Sequence, residues 1–145
     1  MELLKGDMKK ILLVEDDSLT SESYLDQLSS DNFEISFLRS GEEVIAEALS
    51  FKPDLMLLDI MLAGKMNGFD VLDELRSKDE LKDLPVIVLT NLDDQQKTAD
   101  SYQAAGCYVK AETDFETIRT KIYEVLGVGM EERPTKDNSS TPPTT

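Results

Sequence analysis

Leu55-Met56-Leu57-Leu58-Asp59-Ile60 is the stretch on which the fold turns. Four large apolar residues in a row, with no polar residue alternating between them, suit a strand buried on both faces, as in a parallel sheet. The carboxylate that follows at once then lies at the carboxyl end of that strand, where an open α/β sheet has its ligand crevice. Outward from it, four runs share the texture: Ile11–Val14, Phe33–Leu38, Val86–Leu89 and, more weakly, Cys107–Val109. Between them lie longer polar stretches with apolar residues at helical spacing, such as Val44, Ile45, Ala48 and Leu49, or Ile118, Ile122, Val125 and Leu126. Leu25 with Leu28, and Phe69 with Leu72 and Leu75, repeat that spacing. Five β units alternating with five α units predict one open α/β sheet with right-handed crossovers.

Local punctuation agrees. Asp17 or Ser18 can cap the helix after the first strand, and Ser40 or Gly41 can open the second helix. Pro53 and Pro85 stand just before the third and fourth strands, where proline is tolerated. Gly106 follows a helical stretch and is expected at its C′ position. Residues 1–8 read as an N-terminal extension, 9–126 as the domain and 127–145 as a disordered tail. The tail has few large apolar residues and ends in Thr141-Pro142-Pro143-Thr144-Thr145. Such a segment cannot bury enough surface to offset its ordering entropy.

The bulk properties exclude several functions. The 145 residues are 40% hydrophobic and 31% charged, with a formal net charge of −15. That charge argues against binding nucleic acid or an anionic membrane, which both rely on clustered Lys and Arg. There is one cysteine and no histidine, which removes a disulfide framework, the usual zinc sites and Ser-His or Cys-His pairs. No apolar run approaches the roughly 20 residues that span a bilayer, and no signal segment opens the chain. The expected location is the cytoplasm.

Polar groups collect at the carboxyl ends of the predicted strands. Glu15, Asp16 and Asp17 follow the first, Asp59 the third, Thr90 ends the fourth and Lys110 ends the fifth. Singly, each has an ordinary explanation: a capped turn, a turn residue, a strand terminus, a surface charge. Together they are harder to dismiss. Clustered carboxylates repel, and a hard divalent cation with oxygen ligands is the natural compensation. Mg²⁺ takes one or two carboxylates and keeps waters or phosphate oxygens. An Asp carboxylate can be a nucleophile toward phosphorus, and the transferred group needs its charge neutralised, which Mg²⁺, Lys110 and Thr90 can do together.

These residues match a known family. Ile11-Leu12-Leu13-Val14-Glu15-Asp16-Asp17, Pro53-Asp54-Leu55-Met56-Leu57-Leu58-Asp59-Ile60-Met61-Leu62, Asn67-Gly68-Phe69-Asp70-Val71-Leu72 and Pro85-Val86-Ile87-Val88-Leu89-Thr90 resemble the receiver domain of two-component response regulators. The resemblance runs from about Lys9 to Leu126. It implies a flavodoxin-like, doubly wound, five-stranded parallel sheet of order 2-1-3-4-5 with five helices. It implies phosphorylation of Asp59 by a histidine kinase or phosphotransfer protein. It also implies Mg²⁺ held by Glu15, Asp16, Asp59 and the Met61 backbone carbonyl, with Thr90 and Lys110 contacting the phosphoryl group. The reporting surface would span about Asp94–Leu126. The downstream partner is not readable, and a phosphorylation-dependent homodimer through the fourth and fifth helices is left open.

The chain departs from the family in identifiable places. Ala111 follows Lys110 where the family usually has proline, often with a cis bond that before Ala would cost roughly 2.5–4 kcal/mol. Cys107 stands three residues before Lys110, where an aromatic is usual, with Tyr108 one place nearer. Ala63-Gly64-Lys65 replaces a loop that often holds proline, so Gly68 comes one residue late. Asn91 follows Thr90 where a small residue is usual, which narrows access to the site. Met61 and Leu92 are apolar and cannot orient an attacking water, so an aspartyl phosphate should hydrolyse slowly. The alternative function is a phosphorylation-independent pseudo-receiver that acts as an interaction module. A Mg²⁺-dependent phosphotransferase with an outside substrate would want a second carboxylate near Asp59, and position 61 is Met.

Overall fold

The computed structural model describes residues 8–62, 64–91 and 96–128. The expected extension and tail therefore lie almost wholly outside the described residues. The chain alternates β1 (Lys10–Val14), α1 (Ser18–Ser30), β2 (Glu34–Leu38), α2 (Val44–Phe51), β3 (Leu55–Asp59), α3 (Gly68–Arg76), β4 (Val86–Thr90), α4 (Gln96–Ser101), β5 (Gly106–Val109) and α5 (Phe115–Leu126). Short 3-10 turns over Gly41–Glu43 and Lys110–Glu112 precede α2 and α5. All strand pairings are parallel, in the order β2-β1-β3-β4-β5. The expected topology is present.

The uninterrupted apolar runs have a simple cause. Successive strand side chains point to opposite faces, and here both faces are covered. Leu55 and Leu57 join Ile11, Leu13, Ile87 and Leu89 in a layer closed by Tyr24 and Leu28 of α1 and Ile118 and Ile122 of α5. Met56 and Leu58 join Leu12, Val14, Val86 and Val88 in a layer closed by Val44 and Ala48 of α2, Val71, Leu72 and Leu75 of α3, and Ala99 of α4. Each such Leu contributes roughly 1.5–3 kcal/mol by leaving water. The half-buried patterns of β2 and β5 reflect their place at the sheet edges.

The helix ends reflect local chemistry. Asp17 caps α1 by accepting from Thr20 N–H at 2.8 Å. Asn67 and Asp70 form a reciprocal capping box at α3, both bonds 3.0 Å. Such caps satisfy backbone N–H groups that have no partner inside the helix. At the other end of α3, Arg76 reaches the carbonyls of Tyr102, Lys82, Leu84 and Gln103. With Phe69 stacked on Tyr102 (centroids 5.9 Å apart), it pins the end of α4 to α3. The chain leaves α4 through Gln103 in a left-handed conformation, φ 62. Gly106 is therefore not a helix C′ residue, contrary to expectation: it opens β5 in register with Ile87. A Cβ there would lie 3.1 Å from the Tyr108 ring, so its smallness makes room for that side chain.

Gly68 explains the late glycine of the β3–α3 loop. Its N–H donates to Ile60 O at 2.9 Å, and a Cβ would come within 2.7 Å of Asp59 O and Ile60 Cα. The first residue of α3 is thereby pressed onto the backbone that carries Asp59. Glu42 braces the same loop by accepting from Lys65 N–H at 2.7 Å.

Candidate functional site

Parallel register brings the strand ends together. Asp59 pairs with Leu89, and Thr90 with Val109, so the residues that close β3, β4 and β5 lie side by side. Val14 pairs with Leu58, which sets Glu15 beside Asp59. The expected carboxylates do converge: oxygens of Glu15, Asp16 and Asp59 lie within 4.8 Å of one another. Glu15, Asp59 and Thr90 are buried, and Asp16 is half-buried. Asp17, the third acid of the run, serves as the α1 cap, and its own N–H donates to Glu15 Oε2 at 3.1 Å.

Lys110 reaches into this group from the end of β5. Its Nζ donates to Glu15 Oε1 at 3.0 Å and Oε2 at 3.1 Å, and stands 3.5 Å from Asp59 Oδ2. Asp59 Oδ1 accepts from Met61 N–H at 3.0 Å. Met61 thus turns its backbone to the carboxylate while the residue as a whole is 54% exposed. Leu92, the other apolar residue expected near the water path, lies outside the described residues.

The electrostatics are those of crowded negative charge. Burial, and then the Asp59 carboxylate, push the Glu15 carboxyl up to about 7, against the opposing pull of Lys110. Burial also raises Asp59, with Lys110 holding it back. Burial works against the Lys110 ammonium, but its two carboxylate neighbours outweigh that and raise it. Three carboxylates beside one ammonium are short of positive charge, and an all-oxygen donor set of this kind fits a hard divalent cation.

Around this centre are contacts that the sequence did not suggest. Arg39, just past β2, donates through Nη2 to Asp16 O at 3.2 Å and so supports the acidic turn. Looking for polar residues at the carboxyl end of every strand, β2 included, would have found it. The Lys110–Ala111 peptide is trans, as no cis bond occurs among the described residues. Tyr108 packs in the layer next to α1 and α5, whereas Cys107 packs in the layer next to α2, α3 and α4. The two side chains therefore face opposite sides of the sheet. A shallow hollow of about 330 Å³ beside Lys110 is bordered by Leu19, Thr20, Ser23, Tyr24, Thr113 and Phe115. A larger one, about 610 Å³, lies at the amino ends of β3 and β4 near Pro53 and Pro85, and it holds none of the expected site residues.

The sequence profile of the response regulator receiver domain matches residues 11–123. Among curated proteins, the chain is 34% identical over 82 residues to the polar-differentiation response regulator DivK of Brucella anthropi, covering 57% of this chain and 66% of that protein. It is 43% identical over 110 residues to the transcriptional regulatory protein CiaR of Streptococcus pneumoniae, covering 71% of this chain and 47% of that protein. The match thus spans between about half and two-thirds of these relatives. Among solved structures, the response regulator TrrA of Thermotoga maritima, in complex with Mg²⁺ and a beryllium fluoride, superposes with a TM-score of 0.72 at 30% identity. That superposition covers 81% of this chain and 99% of the other.

Proposed function

The chain belongs to the response regulator receiver domain family, and from that premise we propose that it is a phosphorylation-dependent switch whose phosphoacceptor is Asp59. The observation that carries this reading is the Lys110 ammonium drawn between buried Glu15 and Asp59, with Thr90 one register step away. A carboxylate so placed is a nucleophile for phosphorus. An Asp59 Oδ attacks the phosphorus of a phosphohistidine; a P–O bond forms, the P–N bond breaks, and the imidazole leaves with the electron pair. Lys110 and Thr90 then neutralise the transferred oxygens. Mg²⁺, held by Glu15, Asp16, Asp59 and the Met61 carbonyl, would supply the remaining positive charge. The donor is a histidine kinase or phosphotransfer protein, and exposed Leu19 beside the crevice offers it apolar surface.

Incubation with acetyl phosphate and Mg²⁺, followed by intact mass, tests the reading. The parent protein should gain one phosphoryl group, and Asp59→Asn should gain none. After the donor is removed, the adduct should persist for minutes or longer, because exposed Met61 cannot orient a water; decay within seconds would sink that part. A parent that never gains mass would make the chain a pseudo-receiver.

Glu15 gives a second expectation. Its carboxyl is raised from 4.5 to about 7 in the fold, so between those values the folded chain binds more protons than the unfolded one. Stability of the metal-free protein should therefore rise as pH falls through that window. Protons and Mg²⁺ compete for the same carboxylate, so Mg²⁺ should raise the melting temperature most above pH 7 and progressively less towards 4.5. Thermal melts in chelator and in Mg²⁺ across this range check both signs. A Mg²⁺ effect that grows on acidification would contradict the assignment of Glu15.

A further inference from the structure

Two departures from the family pattern touch each other in space: Asn91 Oδ1 accepts a 3.0 Å hydrogen bond from the backbone N–H of Ala111. A proline at 111 would have no N–H to give, and a small aliphatic residue at 91 would have no oxygen to receive one. We propose that Asn91 is a positioning residue for the phosphoryl site, its side chain latching the peptide that carries Lys110 to the strand end that carries Thr90. The inference rests on the receiver reading above and deepens it.

The geometry supports a latch in three ways. The Ala111 N–H belongs to the Lys110–Ala111 peptide, so holding it fixes the plane from which the Lys110 side chain departs. That plane opens the 3-10 turn Lys110–Glu112, whose first residues have no side-chain cap of their own. N–H groups at the start of a helical turn lack partners within it, and Asn91 provides one from across the crevice. On the far side, Thr113 Oγ1 donates to Val109 O at 2.8 Å and braces the same turn. Lys110 is thus held at its backbone while its ammonium lies 3.0 Å from Glu15 and 3.5 Å from Asp59. Asn91 follows Thr90 directly, so the two groups that meet the phosphoryl oxygens are tied to a common point. Proline at 111 or alanine at 91 could not form this bond, so the two residues present make sense as a pair.

The test is the rate of phosphorylation by acetyl phosphate, measured by intact mass over a Mg²⁺ titration, with thermal melts to confirm folding. Asn91→Leu keeps the bulk and removes the acceptor; Ala111→Pro removes the donor. Each should slow the reaction at saturating Mg²⁺ by about 3- to 10-fold, the size expected for one modest hydrogen bond. The Mg²⁺ concentration for half-maximal rate should not rise, since Glu15, Asp16 and Asp59 are untouched and a loosened Lys110 competes less with the metal for Glu15. The double variant should be no slower than either single one, because both remove the same bond. If Ala111→Pro fails to fold, Asn91→Leu set against Asn91→Ala still decides: equal slowing supports the latch. Acceleration by Ala with no change in Leu would mean that Asn91 merely screens the site, and it would overturn the proposal, as would additive losses in the double variant. A parent that takes up no phosphoryl group removes the underlying reading and the latch with it. A reactive parent matched by all its variants removes the latch alone.

Discussion

Asp31→Ala unfolds with about 3 kcal/mol less free energy than the parent, the lower end of the cost of breaking a buried ion pair, because Glu116 still meets the guanidinium. Asp31 follows α1, and its carboxylate accepts from Arg119 Nε of α5 at 2.7 Å, both side chains 3% exposed. The guanidinium also lies 5.2 Å from the Tyr123 ring and donates to Glu116 at 2.6 Å. Its Nη2 is buried with no hydrogen-bond partner among the described residues, so Asp31 is compensating an already expensive cation. The two single variants should be unequal. Methionine in place of Arg119 removes the buried cation itself, whereas without Asp31 the arginine cannot shed its charge. Arg119→Met should therefore cost less than Asp31→Ala, and the double variant less than the sum of the two. Urea denaturation of the four proteins measures all three quantities. Equal losses that simply add would show that the pair contributes packing and little else.

Lys110→Ala should slow phosphorylation by roughly 10²- to 10³-fold, the range found when one preorganised group facing developing negative charge is removed. The same change should tighten Mg²⁺ binding. Lys110 Nζ sits 3.0 Å from Glu15, so its ammonium competes with a metal for that carboxylate, and its removal leaves the acidic group with more uncompensated charge. Opposite signs in rate and metal affinity separate a chemical role from general damage, which would weaken both. Calorimetric titration of Mg²⁺ and intact-mass kinetics give the two numbers. An unchanged rate would remove Lys110 from the proposed mechanism.

The parts of this protein that could be read in its sequence are those whose cause is local. Leu55 to Leu58 announce a doubly covered strand because nothing polar interrupts them, and Asp17 caps α1 through a residue three places on. Helix α4 was poorly legible because it is six mostly polar residues, held by Arg76 and Phe69 from another helix. Gly106 was misread because a glycine after a helical stretch suits a helix end, whereas its smallness answers to the Tyr108 ring. In the site, the acids and Lys110 could be gathered by the rule that ligands meet strand carboxyl ends. That Lys110 pairs with Glu15, 95 residues away, could not. The Arg119–Asp31 pair was invisible for the same reason. In sequence both look like solvated surface charges, and only packing of α5 on α1 makes them a core element.

Gly68 carries a consequence for how this chain can drift over generations. Every other residue type has a Cβ, and at this position it would come within 2.7 Å of two backbone atoms beneath Asp59. Backbone cannot step aside as a flexible side chain can, so the position has no neighbouring alleles through which change can pass. Mutational tolerance around the crevice is thus constrained from behind as well as at its surface. A residue that contributes no charge and no ligand atom should be as closely held by selection as the aspartate it lies against.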